Sequence, residues 1–151
     1  MIDRFERFSY SISEISRLWH RIAGEEMSKY DLKGAYSVYF TTMYRFPEGI
    51  TAAQLVEQCS RDKADVSRAM ALLEKKELVA KSDPEAKAYR ALIKLTPAGR
   101  EVAKQINEKA QAAVELASLG LPEEKRAIFY EALELITANL QKLSRDGLPQ
   151  E

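Results

Sequence analysis

Two helix-start signals fall close together between Gly49 and Leu73, and they leave the chain few options there. Thr51-Ala-Ala-Gln54 has the form of a capping box: the threonine hydroxyl can accept from the backbone N–H three residues on, while Gln54 reaches back to the N–H of residue 51. Ile50 and Leu55 stand where a hydrophobic staple would close the same start. A short helix is predicted from Ala52 to about Cys59. Asp62, with Asp65 three residues later, offers a second N-cap just upstream of Val66, Met70 and Leu73, whose spacing of four and three is that of a buried helical face. Two capped helices joined by a turn follow.

On the second of these helices Val66, Ala69, Met70 and Leu73 face inward, which leaves Lys63, Ala64, Asp65, Ser67, Arg68 and Ala71 outside. That outer face is short and polar. A helix lying in a DNA major groove needs compact side chains for close approach and a few donors to reach bases and phosphates. An ordinary solvated helix surface has the same composition, and the residues of this helix alone leave both readings open. The continuation is more specific. After Leu78-Val79-Ala80-Lys81 comes a polar run interrupted by Pro84, then Arg90-Ala-Leu-Ile-Lys-Leu95, which reads as a β-hairpin with a mobile tip. Its basic residues Lys81, Lys87, Arg90 and Lys94 could enter an adjacent minor groove.

With DKADVSRAMALLEKKELVAK followed by LIKLTPAGRE, the chain resembles the winged helix-turn-helix of the MarR family of transcription regulators. The matching residues are Asp62, Lys63, Val66, Ser67, Arg68, Leu73, Glu74, Lys75, Lys76, Leu78, Val79, Leu95, Thr96 and Gly99. Three departures accompany them. Ala64 stands where the family usually has serine, Glu77 replaces the usual glycine at the helix end, and the wing reads Lys87-Ala88-Tyr89-Arg90 in place of the family's Asp-x-Arg pair. The resemblance implies a mainly α fold with a small β-hairpin wing: a winged helix-turn-helix DNA-binding lobe over residues 31–96 and a helical dimerisation region over 1–30 and 97–151. It further implies double-stranded DNA as partner, contacted by Thr51, Gln54, Lys63, Asp65, Ser67, Arg68, Lys81, Lys87 and Arg90.

Formal net charge is zero, which sits badly with phosphate binding until the distribution is considered. Residues 59–100 hold ten Lys/Arg against six Asp/Glu, so the reading segment is the basic part of a balanced chain. A length of 151 residues suits one domain of ordinary size, and 46% hydrophobic residues exclude a disordered chain. No apolar run approaches the roughly 18 residues of a spanning helix. The N-terminal stretch carries acidic residues and no small-residue cleavage site, and the single cysteine, Cys59, agrees with a reducing compartment, so a cytoplasmic protein with no membrane partner is expected.

Outside the lobe, residues 3–28 place Phe5, Phe8, Ile12, Ile15, Trp19 and Ile22 at alternating steps of three and four, a heptad stripe that calls for a helix packed on other helices. His20 lies off that seam, at a surface or interface position. From Leu32 a second helix is predicted to carry Tyr36, Tyr39, Phe40, Met43 and Phe46 and to stop before Pro47-Glu-Gly49. The family places small, often phenolic, ligands between its DNA-reading lobe and its terminal helices. By that resemblance Trp19, Tyr36, Tyr39 and Met43 are the expected pocket for a small aromatic effector, with plain core packing the alternative for each. Thr96-Pro97 marks a further helix to about Leu119, and Pro122-Glu-Glu opens a last one along which Phe129, Leu133, Ile136, Leu140 and Leu143 form a second heptad seam. Terminal helices with this much apolar stripe imply a two-fold homodimer, its recognition helices about one DNA turn apart on a pseudo-palindromic operator.

The leading expectation is a homodimeric, sequence-specific DNA-binding regulator, a repressor by family habit, relieved by a ligand. Two alternatives share the scaffold: a redox sensor using Cys59, and a helical adaptor lacking DNA binding, suggested by Ala64 and the altered wing. Against catalysis stand a single histidine, no Gly-rich phosphate loop, no Cys/His metal spacing and no nucleophile elbow; no metal or cofactor is expected.

Overall fold

The computed structural model describes residues 3–83 and 90–150. Its elements run α1 (Arg4–Ser28), a 3-10 turn (Gly34–Tyr36), α2 (Ser37–Tyr44), α3 (Ala52–Cys59), α4 (Lys63–Lys75), β1 (Val79–Lys81), β2 (Ile93–Leu95), α5 (Pro97–Ala117) and α6 (Glu123–Asp146). This is the mainly helical architecture with a small antiparallel hairpin that the sequence calls for. The chain divides into two units, Met1–Ala110 and Gln111–Glu151, with α5 running from the first into the second.

The capping box forms as its residues dictate. The Thr51 backbone N–H donates to Gln54 Oε1 at 2.9 Å, and the Gln54 N–H donates to Thr51 Oγ1 at 3.2 Å. Ile50 and Leu55, the staple pair, are fully buried beside it. Asp62 caps α4 by accepting the Asp65 N–H at 2.8 Å, and that backbone bond is the main cause holding the Asp62 carboxyl below its ordinary range. At the start of α5 the Gly99 N–H donates to Thr96 Oγ1 at 3.1 Å, while the Thr96 hydroxyl itself donates to the Glu77 carbonyl at 2.7 Å. Thr96 thus ties the start of α5 to the end of α4.

The hairpin pairs Val79 with Leu95, Ala80 with Lys94 and Lys81 with Ile93. Ile50 adds a one-residue bridge on the other side of β2, giving its N–H to Ile93 O at 2.9 Å and accepting the Ile93 N–H at 2.8 Å. The base of the wing is therefore stitched to the segment entering α3. Phe40, Met43, Ile50, Leu55, Val66, Leu73, Val79 and Leu95 form one core with Met27 from α1 and with Val102, Ala103 and Ile106 from the first half of α5. By contrast α6 buries none of its residues within the chain.

The second helix begins later than the spacing predicts. Leu32 and Lys33 lie outside any helix, Lys33 with extended backbone, a 3-10 turn follows, and α2 starts only at Ser37; Phe46 lies past its end. The cause is tertiary. Gly34 packs against the backbone of α1 so closely that a Cβ there would stand 2.9 Å from the Gly24 nitrogen, which holds the chain in a tight turn before a regular helix can start.

Within three residues of their ends, α1, α3 and α4 are each followed by a left-handed residue that is not glycine: Asp31 (φ 55°), Ser60 (φ 50°) and Glu77 (φ 59°). After α4 the Glu77 N–H bonds Glu74 O and the Leu78 N–H bonds Leu73 O, both at 2.9 Å, the paired bonds of a Schellman ending. A Cβ is disfavoured at that backbone angle. Glu77→Gly relieves a left-handed strain of about 1–2 kcal/mol, partly offset by the greater entropy of glycine in the unfolded chain, and the net gain is expected as a higher urea midpoint at unchanged slope; a lower midpoint would refute the strain.

Candidate nucleic-acid interface

With Val66, Ala69, Met70 and Leu73 buried, α4 presents Lys63, Ala64, Ser67, Arg68 and Ala71 as exposed and Asp65 as half-buried. The face has an internal structure that spacing alone did not reveal. Asp65 Oδ1 holds the Arg68 Nη2 group, one helical turn further along the outer face. Arg68 keeps 69% of its side-chain surface exposed, and its guanidinium carries N–H groups beyond those on the nitrogen held by Asp65. Lys63 and Ser67, one helical turn apart, are exposed as well. Thr51 and Gln54, also expected to contact DNA, turn their side chains on each other at the start of α3.

In the wing, Lys81 is exposed at the end of β1, Lys94 is exposed on β2, and Arg90 is exposed just before it. Ser82 closes the strand by donating both its N–H, at 2.8 Å, and its hydroxyl, at 3.2 Å, to Leu92 O. Lys87 lies outside the described residues.

A cleft of about 240 Å³ opens where α1, α2 and α5 diverge. Trp19, Ile22, Ala23, Glu26 and Met27 line it from α1, Ser37, Val38 and Thr41 from α2, and Ile106, Lys109 and Ala110 from α5. Of the four residues expected around an effector, Trp19 is on this lining. The other three are not. Tyr39 and Met43 are buried in the core, and Tyr36 stands edge-on to Tyr39 with ring centroids 6.1 Å apart. Burial pushes the Tyr39 hydroxyl above its ordinary range, an effect that the positive charge of Arg61 opposes. The side of α2 that carries Ser37, Val38 and Thr41 lines the cleft, because the aromatic side is consumed by packing. Lys109, exposed between Ile106 and Ala110 on α5, went unnoticed in the sequence, although a cation set along an apolar stripe was the available signal.

Cys59 is buried, and its S–H donates to Thr42 Oγ1 at 3.4 Å. Among the described residues no group of three or more His, Cys, Asp or Glu side chains could hold a metal ion, and no helix is long and apolar enough to cross a membrane.

Two short capped helices, the second with an exposed polar face, followed by a hairpin stitched to their base, define a winged helix-turn-helix protein. Neither a family model nor a curated protein matches the chain by sequence. Solved structures do match it. It is similar to a MarR family transcriptional regulator from Listeria monocytogenes complexed with 26mer DNA, at a TM-score of 0.81 and 21% identity over 100% of this chain and 99% of that one. A MarR family regulator from Silicibacter pomeroyi matches at a TM-score of 0.76 and 21% identity, over 91% of this chain and 92% of its own. A third, from Methanosarcina mazei Go1, gives a TM-score of 0.77 and 21% identity over 95% and 94%. The fold of the chain is that of the MarR-family transcriptional regulators.

Proposed function

We propose that the chain is a MarR-family regulator that binds double-stranded DNA as a homodimer, with α4 in the major groove and the wing alongside. The observation that carries this reading is the outer face of α4: short side chains at Ala64, Ser67 and Ala71, exposed donors at Lys63, Ser67 and Arg68, and a helix start fixed by its own cap. The similarity in fold to a regulator complexed with 26mer DNA supports it. Lys63 and Arg68 reach phosphates or guanine, Ser67 a base edge or phosphate, and Lys81 and Arg90 the neighbouring groove. Within a single chain the row Phe5, Phe8, Ile12, Ile15, Trp19 and Ile22 stays exposed on α1, and Phe129, Leu140 and Leu143 stay exposed on α6. Pairing with a second copy would cover these rows and set two copies of α4 about one DNA turn apart.

Arg68→Ala is expected to weaken binding to an operator duplex by roughly 1–3 kcal/mol while sedimentation still reports a dimer. Gel-shift titration of both proteins checks this, and wild-type affinity in the variant, or a wild type that remains monomeric at micromolar concentration, would count against the reading. Repression, relieved by a small aromatic effector in the cleft beside Trp19, is the regulatory mode that follows. Such an effector acts only by preferring one spacing of the paired lobes to the other, and a tenfold preference supplies about 1.4 kcal/mol. The burial of Cys59 favours a structural thiol over a redox sensor, since reactive thiolates sit in partly exposed, electropositive surroundings.

A further inference from the structure

We propose that Asp65 determines sequence specificity through Arg68, as a positioning residue that reserves the guanidinium for a base edge and discourages contact with phosphate. The inference rests on the DNA-binding reading above. Asp65 is anchored from below, its N–H held by the Asp62 carboxylate at 2.8 Å, and its own carboxylate holds one terminal nitrogen of Arg68. Only one edge of the Arg68 fork is engaged, and the side chain remains mostly exposed. The pair therefore presents an oriented set of N–H donors with its charge already neutralised.

Two consequences follow for a duplex. A lone phosphate offers Arg68 an exchange of one anion for another while bringing the Asp65 carboxylate close to the phosphate charge, so the exchange gains little. A guanine edge offers O6 and N7 as two acceptors to the outward donors while the inner nitrogen stays on Asp65. An adenine at that place would set its N6 amino group against the guanidinium. Asp65 thus favours G·C at one position and suppresses binding to unrelated sequence. The i,i+3 spacing of Asp65 and Arg68 was visible in the chain, but its setting on the outer face of a capped reading helix comes from the structure.

Fluorescence anisotropy with the full chain tests this, using a duplex recovered by selection from a random pool and a scrambled duplex of the same composition. Asp65→Asn keeps the shape and removes the charge. Its ratio of selected to scrambled affinity is expected to fall about tenfold, largely through tighter binding of the scrambled duplex, and the salt dependence on that duplex is expected to steepen by about one in log–log slope. Asp65→Glu, which keeps a carboxylate within reach of Arg68, should restore most of the ratio. A capping role alone would lower the melting temperature of Asp65→Asn and leave ratio and slope within twofold of wild type, and that result overturns the inference. A wild type with no preference for the selected duplex would instead remove the DNA-binding reading, and the inference with it.

Discussion

Replacing Phe40 by alanine should cost about 3–5 kcal/mol of folding stability. Among the described residues Phe40 is the largest fully buried side chain, set in the middle of α2 where that short helix meets α3 and β2. An eight-residue helix has little stability of its own and exists because its buried side is packed. Deleting the ring removes its transfer free energy and leaves a void that α2, pinned on one side by the Gly34 turn and on the other by the stapled start of α3, is poorly placed to fill. Urea denaturation followed by far-UV circular dichroism measures the loss. Phe40→Leu, which keeps most of the volume, should lose distinctly less, and equal losses in the two variants would mean that the ring does not hold the core.

Gly99→Ala should be destabilising by about 3 kcal/mol, the upper end of what one extra methyl costs a packed interior. A Cβ at residue 99 would stand 1.9 Å from the Leu78 carbonyl oxygen and 3.2 Å from Leu95 Cδ2. The first contact is with backbone, and that backbone cannot step aside cheaply. Leu78 O already accepts the Thr96 N–H at 3.0 Å, and the Thr96 hydroxyl is bound to Glu77 O. The substitution therefore forces apart the end of α4 and the beginning of α5. Thermal and urea unfolding of the variant check the size of the effect; a change below about 1 kcal/mol would show that the two segments separate easily.

These two sites also mark what sequence reasoning can reach. The starts of α3, α4 and α5 were legible at Thr51, Asp62 and Thr96 because a cap is satisfied by residues three positions away. The buried side of α4 was legible because Val66, Ala69, Met70 and Leu73 repeat with the helical period. The true start of α2 was not, because it depends on Gly34 meeting Gly24 across a sequence gap that no local pattern encodes. Of the residues expected around an effector only Trp19 lines the cleft, for a related reason. An aromatic run predicts that α2 buries something, but whether Tyr39 and Met43 or Val38 and Thr41 face the core is decided by the helices packed against it. Gly99 was recognised as part of a motif, yet its physical necessity appears only when the Leu78 carbonyl is found beside it.

The enclosed position of Cys59 gives the molecule an internal clock. A thiol-modifying reagent cannot readily reach the sulfur of a residue that is 7% exposed, lodged as it is against Thr42, until α2 and α3 part. The rate of covalent capture would then report how often that part of the lobe opens, and at what free-energy cost, without denaturant and at a single atom. Because the chain has one cysteine, the signal would come from one place, so the opening of the lobe could be timed in the same tube in which it is offered DNA.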